Sequence, residues 1–80
     1  MSNAHCSIKV FADERGNEVF FKVKKSTSIR KMHEALCARQ AWNPSMIALT
    51  CYGEILDLNK PCSVIPKDVD LHVINYTHIF

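Results

Sequence analysis

Eighty residues make one small domain: a chain of this size buries only roughly 60–65% of its unfolded surface, so its apolar residues must share a single core. With 48% apolar residues, two Gly and three Pro, the composition excludes a disordered or low-complexity chain. No run reaches about 18 apolar residues and no signal-peptide pattern opens the chain, so the sequence reads as soluble and intracellular, nuclear or cytoplasmic.

Ser2-Asn3-Ala4 reads as the scar of a cleaved expression tag, and residues 1–5 are expected to form a flexible N-terminus outside the domain. Ile8, Val10 and Ala12 alternate with Lys9 and Phe11, the period-two pattern of a half-buried strand. Asp13-Glu14-Arg15-Gly16-Asn17 is a polar hairpin loop with Gly and Asn available for positive φ. Val19, Phe21 and Val23 then alternate with Phe20, Lys22 and Lys24 as a second strand. Pairing Val10 with Phe21 and Ala12 with Val19 places the small apolar residues of both strands on one face. Ser26-Thr27-Ser28 supplies capping hydroxyls for a helix carrying Ile29, Met32, Leu36 and Cys37 at helical spacing and ending near Gln40-Ala41. Ile47, Leu49 and Cys51 predict a third strand, Gly53-Glu54 a tight turn, and Ile55-Leu56 a short fourth strand. Pro61 and Pro66 keep residues 57–67 irregular, and Leu71, Val73 and Ile74 form the last strand. The order strand, strand, helix, strand, short strand, strand predicts an α+β fold of the ubiquitin-like β-grasp kind (ββαββ), one helix packed on a mixed sheet.

Charge is unevenly spread although the net value is only +2. Residues 1–41 hold eight Lys/Arg against four Asp/Glu, while residues 42–80 hold two against four. Lys22, Lys24, Lys25, Arg30, Lys31 and Arg39 face a single acid, Glu34, within residues 22–39. Such asymmetry points to an acidic partner on one face, or to a solvated face with no partner. The cysteines Cys6, Cys37, Cys51 and Cys62 form no CxxC pair and sit in or beside apolar runs. Two disulfides are one arithmetic possibility; reduced thiols used as small apolar residues suit an intracellular chain better.

The run Phe21-Lys22-Val23-Lys24, then Thr27, Ile29, Lys31-Met32 and Cys37-Ala38-Arg39-Gln40, resembles the hairpin and helix of SUMO. Ile47, Leu49, Tyr52-Gly53-Glu54-Ile55-Leu56, Pro61 and Asp70-Leu71-His72-Val73 extend the resemblance over residues 8–76, with the domain bounded at 6–77 and a tail at 78–80. A mature SUMO ends in Gly-Gly, where this chain has Ile79 and Phe80, and two bulky residues do not suit a tail that threads a narrow enzyme channel. The resemblance therefore implies a non-conjugated interaction domain, or alternatively a true modifier whose Gly-Gly is missing from this chain. The acidic stretch before the last SUMO strand is replaced by Pro66-Lys67-Asp68-Val69-Asp70, which weakens the expectation of contact with the conjugating enzyme.

What the resemblance implies for binding is a furrow between the second strand and the helix, taking the short aliphatic and acidic peptides called SUMO-interacting motifs. If the second strand lies at the sheet edge, its backbone is free to pair with an added strand. Lys31, Ala35 and Arg39 form one column at i, i+4 and i+8, and Ala35 leaves room between two cations. Phe21, Val23 and Met32 would supply an apolar floor, Lys22, Lys24, Lys31 and Arg39 a basic rim, and the peptide would add as a strand beside residues Phe20 to Lys24. Ala48, Thr50, Gly53 and Glu54 mark a possible second face. No cofactor is expected, and the domain is expected to be a monomer without membrane or enzymatic function. His33 and Cys37 have a two-ligand helical spacing, but nothing supplies further ligands, so a core thiol beside a surface histidine is expected. As nucleophile and base the same pair lacks an orienting third group and a pocket. Nucleic acid is a weaker alternative: Phe11 and Phe20, near Lys9 and Lys22, would form a stacking platform or a cross-strand pair that only stabilises the hairpin.

Overall fold

The computed structural model describes residues 4–13 and 15–76. Of the expected scar Ser2-Asn3-Ala4, residues 2 and 3 lie outside the described residues, as do the tail 78–80 and its Ile79-Phe80 end. Five strands, β1 (His5–Phe11), β2 (Glu18–Lys24), β3 (Ile47–Cys51), β4 (Glu54–Ile55) and β5 (Asp70–Asn75), form one sheet in the order β2-β1-β5-β3-β4. One helix, α1 (Ile29–Gln40), follows the first hairpin. The central pair β1–β5 is parallel and the other pairs are antiparallel, which makes the sheet mixed, as the sequence predicts.

The core is the product of the two periodicities meeting. Ile8, Val10, Ala12, Val19 and Phe21 from the hairpin are buried with Ile29, Met32 and Leu36 of α1, Leu49 and Cys51 of β3, and Leu71 of β5. Val10 and Leu71 lie opposite one another in the central parallel pair and are wholly buried. Cys37, Cys51 and Cys62 are buried free thiols, and Cys6 is half-buried against the core. Burial raises the Cys37 thiol above its ordinary value of 9.0. Cys62 is raised by burial and, to a lesser degree, by the neighbouring Cys6. Buried neutral thiols behave as small apolar side chains.

The hairpin register differs from the expected one by two residues: Val10 faces Val19 and Ile8 faces Phe21. The loop closes sooner because Asp13 organises it. Its carboxylate accepts from the Arg15 and Asn17 backbone N–H groups and from the Asn17 side chain. Gly16 supplies φ +86°, and the Ala12 N–H closes the loop on the Asn17 carbonyl at 2.8 Å. A two-residue slip preserves the side-chain period, so the same residues still point inward. It does separate the aromatic pair expected from the sequence: Phe20 lies opposite Lys9, and Phe11 opposite Glu18.

Three further boundaries shift. β1 already includes His5, paired with Lys24, and the Ala4 carbonyl accepts from the Lys25 N–H, so these two residues belong to the hairpin rather than to a flexible start. The tight turn centres on Tyr52 and Gly53, at φ 53° and 80°, the positive-φ pair that a two-residue hairpin requires. β4 consequently starts at Glu54 and ends at Ile55, with the Leu56 N–H bonded to the Leu49 carbonyl.

Ser28 caps α1 by accepting from the Lys31 N–H. At the other end Ala41 adopts φ 56°, and the Trp42 N–H bonds the Cys37 carbonyl at 2.9 Å. That C-terminal geometry favours glycine, because a Cβ in the left-handed region is strained. Ala41→Gly is therefore expected to stabilise the fold by about 0.5–1 kcal/mol, read as a higher urea midpoint with an unchanged denaturant slope.

Candidate functional site: the edge of β2 and the flank of α1

β2 is an edge strand, paired on one side only. Its odd residues turn their backbone toward β1, as the bonds from Ala12 to Asn17 and from Lys25 to Ala4 bracket the ladder. The alternation of an antiparallel strand then directs the N–H and C=O groups of Phe20 and Lys22 outward. The Lys24 carbonyl is taken up by the Thr27 N–H in the turn that leads to the helix.

The helix sets the other wall. Lys31, Ala35 and Arg39 are exposed on α1, spaced as one column. Arg39 reaches across to β2: its guanidinium lies 4.9 Å from the Phe21 ring centroid and donates to the Phe20 carbonyl at 3.4 Å. The furrow is thus spanned by a side chain in the isolated domain. The i, i+8 spacing shows which flank Arg39 occupies but not that it engages the strand backbone; its presence opposite an edge strand was the available signal.

Two of the expected floor residues are core residues instead. Met32 is 1% exposed and Phe21 7% exposed, because α1 packs its Ile29, Met32 and Leu36 stripe directly onto the hairpin. Half-buried Val23 and the small Ala35 leave the accessible apolar surface between strand and helix. Phe20, 64% exposed, points with Lys22 and Lys24 away from the helix and toward the outer sheet face, so it borders the edge instead of lining the furrow.

The alternative face is less available than expected. Thr50 is buried and donates its hydroxyl to the His72 carbonyl at 3.2 Å, whereas Gly53 and Glu54 are exposed and Ala48 is half-buried. On the same outer side Phe11 stacks on His72 at 5.2 Å, and the Lys9 ammonium sits 5.2 Å from the Phe11 centroid. Lys9 also bridges Glu18 and Asp70 at 3.9 and 3.5 Å, partly exposed pairs worth little individually. A Phe11–Phe20 stacking platform is therefore not assembled. Phe11 is engaged by His72 and Lys9.

His33 is not a surface residue: it is 3% exposed, and its Nε2–H donates to the Ile47 carbonyl at 2.8 Å. A carbonyl can only accept, which fixes the tautomer. Position 33 shares the inward side of α1 with Ile29 and Cys37, one turn away on either side, so the helix carries it inward. With the proton on Nε2, Nδ1 is the ring nitrogen left as an acceptor. Among the described residues no group of three His, Cys, Asp or Glu is placed to hold a metal ion, and no helix is long and apolar enough to cross a membrane.

A five-stranded mixed sheet with this order and one helix across it defines a ubiquitin-like β-grasp. The structure is similar to a Caldiarchaeum subterraneum ubiquitin, with TM-score 0.81 and 18% identity over 91% of this chain and 95% of that one. It is similar as well to a designed protein based on ubiquitin, with TM-score 0.75 and 18% identity over 95% of this chain and 94% of that one. No family model matches the sequence. Small ubiquitin-related modifier 2 of Arabidopsis thaliana is 42% identical over 53 residues, 66% of this chain and 50% of the relative. The ubiquitin-like protein pmt3/smt3 of Schizosaccharomyces pombe is 38% identical over 53 residues, 66% of this chain and 44% of the relative. The chain thus has the ubiquitin-like fold and is similar in sequence to SUMO proteins over 53 residues. The first of these relatives is by name a modifier, and the matched segment spans about half the length of both curated relatives.

Proposed function

We propose that this SUMO-like domain works by non-covalent docking, binding extended aliphatic peptides with acidic flanks beside β2. Its partners are then proteins of the sumoylation pathway in the nucleus or cytoplasm. The observation that carries this reading is the open edge of β2 lying alongside the Lys31–Ala35–Arg39 column. An incoming strand would pair with the outward groups of Phe20 and Lys22, and its apolar side chains would rest on Val23 and Ala35. Arg39 would release the Phe20 carbonyl to the peptide and turn its charge toward an acidic flank. Lys31 rims the groove on its helix side, while Lys22 and Lys24 border the β2 edge from the outer sheet face.

The cationic rim is solvent-exposed, so each charge contributes about 0.2–1 kcal/mol and is screened as the Debye length shortens. Lys24→Glu is therefore expected to weaken such a peptide about two- to five-fold at low ionic strength and much less near 1 M salt. Amide shifts followed through a peptide titration at both salt concentrations check this. Perturbations clustered on Ala48, Gly53 and Glu54 would move the working surface to the opposite end of the sheet and defeat the proposal.

A further inference from the structure

The sheet has a second incomplete edge, in its interior. β1 pairs with β2 along its whole length, from His5 to Phe11, but with β5 only from Lys9 onward. The residues of β1 that turn toward β2 are the even ones, bracketed by the Ala4–Lys25 and Ala12–Asn17 bonds. His5 and Ser7 consequently direct their N–H and C=O groups to the β5 side, where the ladder has not yet begun. The chain that will become β5 stands away at this level. Residues 65–69 instead form the far wall of a concavity of about 530 Å3, lined on the near side by His5, Cys6, Ser7 and Ile8.

The walls of this slot carry a definite charge. Lys22, Lys25 and Lys67 line it against one acid, Asp68, and all four are exposed. None of the three lysines makes an ion pair among the described residues; the two ion pairs found there both belong to Lys9. Half-buried Cys6 and Val69 and buried Ile65 supply an apolar floor. Unpaired strand backbone, an apolar floor and three uncompensated ammonium groups together describe a receptor for an extended acidic chain.

The geometry points to a second peptide site, in which an extended acidic segment of a partner protein adds to the free half of β1 between His5 and Ser7 and residues 65–69. About three residues fit along that half-edge at roughly 3.3 Å each. Alternate side chains rest on Cys6 and Val69, and carboxylates or phosphates meet Lys22, Lys25 and Lys67. Lys22 borders both this slot and the β2 edge, but the strand backbone each site offers is different, that of His5 and Ser7 here and that of Phe20 and Lys22 there, so the test below can tell the two readings apart.

The test uses the whole chain carrying Ala35→Trp, which fills the furrow, and a blocked hexapeptide of alternating Val and Glu. Amide shifts at Ser7, Ile8 and residues 67–69 are expected, and Lys67→Glu should weaken binding about five-fold at low salt. Two versions of the peptide, N-methylated at adjacent central residues, test the backbone pairing without altering the protein, and one of them should lose binding. Shifts confined to Phe20, Val23 and Arg39, or full binding by both methylated peptides, would overturn the proposal. It would equally fail if inorganic phosphate alone reproduced the shifts and displaced the peptide, since the slot would then be only an anion patch.

Discussion

Leu71→Ala is expected to lower the unfolding free energy by about 2–5 kcal/mol. Leu71 is wholly buried in β5, between β1 and β3, and its ladder partner Val10 is wholly buried as well. The cavity left by truncation lies on the inner face of the sheet, within the core cluster shared with Ile29, Met32 and Leu36 of α1, and close packing there limits its collapse. A domain of this size has a total stability near the lower end of about 5–15 kcal/mol, so the variant should be substantially unfolded at 37 °C. Urea denaturation should show a lower midpoint with an unchanged slope. Leu71→Met, which nearly conserves volume, should cost less than about 1.5 kcal/mol. A small effect for the alanine variant would mean that the centre of the sheet is not the centre of the core.

The second large effect concerns the furrow. Ala35 is exposed on α1 between Lys31 and Arg39, so tryptophan at this position should leave stability nearly unchanged while projecting an indole into the space beside β2. Ala35→Trp is expected to reduce binding of an aliphatic acidic peptide about tenfold or more, equivalent to about 1.4 kcal/mol. Steric exclusion is not screened, so the loss should persist at every ionic strength, unlike that of Lys24→Glu. Isothermal titration at low and high salt separates the two. Undiminished affinity in the tryptophan variant would place the peptide elsewhere.

The contrast between what was readable and what was not follows the range of the forces involved. Periodicity located every strand and the helix, because inward-facing residues recur at two or at three to four positions whatever their partners are. The hairpin register was not readable, since it depends on how Asp13 and Gly16 close the loop, and slipping by two leaves the pattern of apolar positions unchanged. His33 was misplaced for a related reason: a polar residue on an otherwise apolar side looks exposed until the Ile47 carbonyl that receives its N–H is brought near in space. The resemblance over residues 8–76 identified the strand and helix flanking the furrow. It could not show that Met32 is consumed by the core, nor that Arg39 grips the Phe20 carbonyl. The unpaired half of β1 was invisible in the sequence, because it is created by where β5 begins.

A strand with one bare side is an invitation to its own kind, since two copies of this domain could join β2 to β2 and continue the sheet. The residues along that margin argue against it. Phe20 is flanked on its own side by Glu18 and Lys22, with Lys24 beyond, and an antiparallel self-pairing centred on Lys22 would bring the like charges of the two copies together. Arg39, moreover, already occupies one of the carbonyls that such a pairing would need. The cations that make the margin attractive to an acidic stranger therefore keep identical chains apart, and recognition and solubility are two readings of the same row of side chains.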